Sequence, residues 1–153
     1  MARYLNPECV FQALFHAPAV AALADLHSEL GGRLRYVISS SWREHFTRAQ
    51  LRYVFREAGL GIVADGLEGI DRWATPVLPR PDRHSEVARW LEQYHQREPF
   101  AVIDDMWSGS SLWKSRSDPV RVALCEPTIG LQAQHLDKLS SALRTPLGIL
   151  ETW

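Results

Sequence analysis

Residues 36–45 read YVISSSWREH. Tyr36, Val37 and Ile38 favour a strand, and three consecutive hydroxyls, a tryptophan and an arginine follow. Strands usually stop at Gly, Pro, Asn or Asp. One that runs into Ser39, Ser40, Ser41, Trp42 and Arg43 hands polar groups to something. Two readings compete. The serines can cap a following helix, or a hydroxyl and neighbouring amides can bind a phosphoryl oxygen. Arg43 is either a solvated surface residue or a guanidinium fork for phosphate. Trp42 suits a core or lid aromatic.

Working outward, Leu23, Leu26 and Leu30 fall at helical spacing with Pro18 in the first turn, which predicts a helix over 18–30 stopped by Gly31 and Gly32. Downstream, Leu51, Val54, Phe55 and Ala58 make an apolar stripe that predicts a helix over 48–58, with Thr47 and Gln50 as a capping box. LGIVAD (60–65) reads as a second strand. Residues 64–83 read as a long loop, of the length often tied to function. Val87, Trp90, Leu91 and Tyr94 predict a helix over 84–95. FAVIDD (100–105) and VRVALC (120–125) read as strands, with a loop over 106–119 between them. Leu136, Leu139 and Leu143 predict a last helix over 132–143. Helices alternating with short apolar strands argue for an α/β fold. The expected form is a parallel sheet with helices on both faces, and strands near 34–39, 100–103 and 121–124 as neighbours.

The 153 residues suit a single domain over 1–153. With 46% hydrophobic and 23% charged residues, the composition is that of an ordinary globular protein. A formal net charge of −1 supplies no global attraction for nucleic acid or anionic membrane. Cys9 and Cys125 show no paired spacing and read as two buried thiols in a reducing compartment. No apolar run reaches membrane-spanning length and no secretory leader is legible, so a cytoplasmic, soluble protein with no membrane partner is expected. The six histidines lack metal-ligand spacing.

In open parallel sheets, ligands bind beyond the carboxyl ends of the strands. Ser40, Ser41 and Arg43 follow the first strand, and Asp104 and Asp105 follow FAVI. Two adjacent carboxylates at a strand exit need a compensating cation, a helix amino end or a metal; Mg²⁺ takes one or two protein carboxylates and keeps several waters. The plainer alternative is a turn, where Asp is common. Arg83 opens a helix, where the macrodipole disfavours a cation. A cation there points to a neighbouring anion.

HAPAVAALADL, YVISSSWRE, RHSEVARWL, FAVIDDM and RVALCEPTIGL, in that order, resemble the haloacid dehalogenase (HAD) superfamily. The nearest likeness is to small bacterial HAD-like domains of the branch found in RNA-repair polypeptides, over about residues 15–143. The resemblance implies a three-layer, Rossmann-like parallel sheet and Mg²⁺-dependent phosphate-ester hydrolysis of phosphatase or nucleotidase type. It implies that Ser40 binds the transferred phosphoryl group, with Ser41 and Arg43 beside it. It implies that Arg83 neutralises phosphate and nucleophile, and that Asp104 and Asp105 hold Mg²⁺.

The chain departs from the family at its first motif. Family catalysis begins with Asp-x-Asp, whose first carboxylate attacks phosphorus and whose second is the general acid and base. No Asp-x-Asp occurs in this sequence. Asp65, after an apolar run, is the nearest substitute but follows the serine motif instead of preceding it. The expectation is a domain whose first-motif strand is missing, inactive as this chain. The rival is a non-catalytic module for a phosphorylated ligand, a protein or an RNA partner, and the neutral charge counts against RNA. Substrate and oligomeric state are not legible.

Overall fold

The computed structural model describes residues 15–80, 82–114, 118–146, 148 and 153. Cys9, expected as a buried thiol, lies outside them. The chain divides into two compact units, 1–74 and 75–153. The fold is α/β, with a parallel sheet pairing and helices along the chain.

In the first unit, α1 (Ala17–Glu29) has Pro18 in its first turn. Gly31 and Gly32 end it, with φ of 71° and 67°, a conformation costly for any side chain with a Cβ. Among the described residues, the segment expected as a strand over 34–39 pairs through two isolated parallel bridges, Tyr36 with Leu67 and Ile38 with Ala74. Tyr36 and Ile38 are two residues apart but their partners are seven apart, so the ladder cannot run on. The surplus residues form a turn around 70–72. The one-turn α2 (Trp42–His45) follows the serines. Next comes α3 (Arg48–Glu57), which opens on the expected capping box: Gln50 N–H donates to Thr47 Oγ1, and Thr47 N–H donates to Gln50 Oε1.

LGIVAD is not a strand. Gly61–Gly66 forms a helix, α4. Leu60, Val63, Ala64 and Leu67 recur at helical spacing and are all buried against Leu51 and Phe55 of α3. Arginines cover the carbonyls where α4 ends. Arg52 Nε donates to Ala64 O, Arg48 donates to Leu67 O and Glu68 O, and Arg35 donates to Leu67 O. These donors supply the partners that the last turn of a helix lacks. The expected loop over 64–83 therefore begins inside α4 and holds both bridge partners, Leu67 and Ala74.

In the second unit, α5 (Arg83–Tyr94) begins after Asp82, whose carboxylate accepts from Ser85 N–H. β1 (Val102–Asp105) and β2 (Val122–Cys125) pair in parallel, Val102 beside Val122 and Asp105 beside Cys125. Parallel neighbours need a long crossover. Here it holds a 3₁₀ helix (Ser110–Lys114) and a single helical turn, α6 (Asp118–Arg121), where an unbroken loop over 106–119 was expected. Arg121, read as part of the strand, ends α6. The last helix, α7 (Leu136–Arg144), follows a 3₁₀ turn at Ala133–His135. Val87, Leu112, Val122, Ala123, Cys125, Leu131 and Leu139 are this unit's buried apolar side chains of note.

Candidate functional site

The serine segment lies in the first unit. Ser40 and Ser41 are exposed. Ser40 Oγ accepts from Trp42 N–H at 3.3 Å, and Arg43 N–H and Glu44 N–H close the turn onto Ser40 O and Ser41 O. Arg43 Nη1 donates to Ser39 O at 2.9 Å and Ser40 O at 2.7 Å. In this geometry Ser40 closes a local turn onto the first amide of α2, Ser41 stands at the N-cap without a side-chain capping bond, and Arg43 braces the serine backbone. Asp65, the nearest substitute for a nucleophile, sits on the exposed face of α4, where it pairs with Arg56 at 2.6 Å. The Arg56 hydrogen bond holds its carboxyl below the ordinary value. With LGIVAD helical, Asp65 no longer stands at a strand end.

Arg83, Asp104 and Asp105 lie in the second unit, and there the structure brings sequence-distant groups together. Arg83 Nε donates to Asp104 Oδ2 at 2.6 Å, and its Nη1 lies 3.5 Å from Glu86 Oε2. The cation at the start of α5 thus has the anion that its position called for. Glu86 was not anticipated, although its i, i+3 spacing from Arg83 is a legible signal. All three side chains are largely buried, so the charges interact through little water.

The neighbouring carboxylates differ. Asp104 Oδ1 accepts from Asp105 N–H. Burial raises the Asp104 carboxyl above its ordinary value, even though Arg83 pulls it down. For Asp105, burial also pushes upward, but bonds from Ser108 and Trp107 outweigh it and its carboxyl is lowered. Asp105 Oδ1 accepts from Trp107 N–H at 2.9 Å and Ser108 N–H at 2.7 Å, and so caps the turn after β1. Gly109 packs there so closely that an added Cβ would stand 2.9 Å from Asp104 Cβ, Asp105 O and Leu124 Cδ2. Ser111 Oγ accepts from His84 N–H, which ties the loop to the first turn of α5. Cys125, beside Asp105 in the ladder, is a buried free thiol. Burial, then Asp104 and Asp105, push it up to about 11.

Asp104 and Asp105, the pair expected at Mg²⁺, are both engaged by the protein itself. Asp104 is held by Arg83 and by the Asp105 amide, and Asp105 caps a turn. Among the described residues no three His, Cys, Asp or Glu side chains are grouped to hold an ion. Nor is any helix among them long and apolar enough to cross a membrane.

The Arg83–Asp104 pair stands where the carboxyl end of a parallel strand meets the start of a helix, the place where open α/β sheets bind ligands. The sequence agrees: residues 3–136 match the family described as the HAD domain in Swiss Army Knife RNA repair proteins, and the chain belongs to that family. No curated protein and no solved structure matches it.

Proposed function

We propose that this chain is a HAD-type domain that binds phosphate esters, the binding half of a phosphatase or nucleotidase site. The observation that carries the reading is the Arg83–Asp104 pair, which sets a cation and an acid together at the carboxyl end of β1 and the amino end of α5. The family match supports it and runs through both compact units, which favours one HAD domain in the three-layer, Rossmann-like form. Arg83 neutralises the bound anion. The phosphoryl contact that the resemblance assigns to Ser40, Ser41 and Arg43 belongs to the first unit and is tested on its own. Mg²⁺ is the family's ion, but the two carboxylates present are already engaged, so no step is assigned to a metal here.

Covalent phosphoryl transfer needs a nucleophile, and the sequence holds no Asp-x-Asp. The reading is therefore binding without turnover. The test measures phosphate release from an aryl phosphate with Mg²⁺, beside calorimetric binding of the same ester's unreactive phosphonate. Binding that weakens in Arg83→Ala and Ser40→Ala, with no release above background, is the expected result. Rapid Mg²⁺-dependent release would mean that another residue is the nucleophile. Undetectable binding would remove the phosphate reading altogether.

A further inference from the structure

Among the described residues, β1 and β2 make a two-stranded parallel sheet. Parallel strands are ordinarily covered on both faces, and two strands alone are marginal. The two strands here are not equally covered. Val122, Ala123 and Cys125 of β2 are buried, whereas Ile103, inside β1, is 43% exposed. Just past the strand, Met106 and Trp107 are 42% and 77% exposed, and Trp113 is 63% exposed. The loop that bears both indoles folds back on itself, since Gly109 N–H donates to Asp105 O and Leu112 N–H to Gly109 O. Its apolar side chains are thereby kept near the end of β1.

Strand geometry fixes which backbone groups stay open. Met106 N–H donates to Cys125 O, toward β2. Successive residues turn their amide and carbonyl to opposite edges of a strand, so those of Val102 and Asp104 also face β2. Those of Ile103 and Asp105 face away from it. Asp105 is occupied locally: its N–H donates to Asp104 Oδ1 and its O accepts from Gly109 N–H. Ile103 N–H and O have no partner among the described residues.

We infer that β1 is the contact edge of a twofold dimer, in which Ile103 pairs antiparallel with Ile103 of a second copy and Met106, Trp107 and Trp113 flank the junction. A twofold contact sets one surface against itself. Within β1 Ile103 meets that condition, because its open amide and carbonyl can exchange two hydrogen bonds with their own copies. In that register Asp104 stands opposite Val102 of the second copy and Asp105 opposite Ala101, so no two carboxylates face each other. A formal net charge of −1 adds little repulsion. The four apolar side chains leave roughly 500 Å² in water, over half of the roughly 800 Å² per partner that a standard interface buries. The contact does not depend on phosphate binding.

The test is sedimentation velocity of the whole chain over about 1–200 μM. Dimer is expected at the upper end, and Ile103→Lys and Trp107→Ser should each abolish it with circular dichroism unchanged. A hydrogen-bonded antiparallel pair sets its two Cα atoms about 5.5 Å apart, within disulfide reach. Ile103→Cys, in a Cys9→Ser background, should therefore give a disulfide-linked dimer on mild oxidation. Ile70→Cys in the same background, at a site 80% exposed on the turn around 70–72, should not. A chain that stays monomeric throughout the range overturns the proposal and leaves the edge to a different partner. A dimer that survives both substitutions and does not cross-link through position 103 overturns it too, because another surface then joins the copies.

Discussion

Arg83 Nε lies 2.6 Å from Asp104 Oδ2, joining the first residue of α5 to the exit of β1 across 21 positions of sequence. Both side chains are nearly out of solvent. Removing one partner of such a pair strands the other charge, which costs more than the pair itself contributes. Arg83→Ala should destabilise the protein by about 3 kcal/mol. Adding Asp104→Asn should recover part of that loss, because no carboxylate is then left unpaired. Urea unfolding of the two single variants and the double variant measures the coupling. Strictly additive losses would show that the pair is not coupled.

Asp104 and Asp105 should act on stability in opposite directions with pH. Asp104 has a raised folded pKa, so the native state holds its proton more tightly than the unfolded state. Its contribution is fully present below the unfolded pKa and is lost as pH rises through the folded value. Asp105 is lowered, so its contribution is present above the unfolded pKa and fades as pH falls through the folded value. Asp105→Ala removes the acceptor for two turn amides and should cost about 1 kcal/mol near neutral pH, the scale of a lost cap. The gap between wild type and Asp105→Ala in denaturant midpoint should close as the solution is acidified below the carboxylate range. A constant gap would mean that the charged form of Asp105 contributes nothing.

Much of this fold was legible because local chemistry and packing agree. The α3 box at Thr47 and Gln50 and the stop at Gly31 and Gly32 sit where propensity puts them, whereas β1 runs on through Asp104 and Asp105, which were expected just beyond it. LGIVAD failed because a short apolar run fits a strand or a buried helix equally well. Only its flanks decide: adding Leu60 and Leu67 to Val63 and Ala64 completes a helical stripe. At the site, Arg83 was legible as a cation out of place at a helix start. Arg43 was not legible as a backbone brace, since its acceptors, Ser39 O and Ser40 O, are main-chain groups that any sequence offers. Asp105 accepts from two amides of the turn after β1, the contact that its plainer reading implied.

Gly66 stands at the end of α4, where its carbonyl accepts from Tyr36 N–H. A Cβ there would lie 2.7 Å from Tyr36 Cδ2 and 3.0 Å from Leu34 O. Tyr36 has little room to give. It is hydrogen-bonded to His27 Nδ1 at 2.8 Å, and burial pushes its hydroxyl up to about 12. Overpacking of this kind costs about 1–3 kcal/mol. Gly66→Ala should lower the denaturant midpoint accordingly and disturb the Tyr36 resonances in a heteronuclear spectrum. A variant as stable as wild type, with Tyr36 unmoved, would show that the contact relaxes freely.

Arg121 is 2% exposed, yet it carries a permanent charge. Its guanidinium donates to four carbonyls: Phe100 O and Ala142 O from Nη1, and Thr145 O and Pro146 O from Nη2. It also lies over the Phe100 ring, 5.0 Å from the centroid. Ala142 and Thr145 belong to the carboxyl end of α7, where unsatisfied carbonyls and the helix dipole favour a cation. Arg121 therefore ties the segment before β1, the start of β2 and the end of α7 together. Lysine keeps the charge but not the planar fork, and its ammonium cannot span these acceptors. Arg121→Lys should cost about 3 kcal/mol, because a buried charge keeps its desolvation penalty and loses its partners. For a chain of this size that is a fall in Tm of roughly 6–12 °C. Arg121→Met leaves the carbonyls short of donors but buries no charge, and Thr145 and Pro146 lie at the surface, where water can serve. It should therefore be the milder change. Calorimetric melting of the two variants decides the matter: a methionine variant less stable than the lysine variant would show that the charge itself, and not the fork, holds this junction.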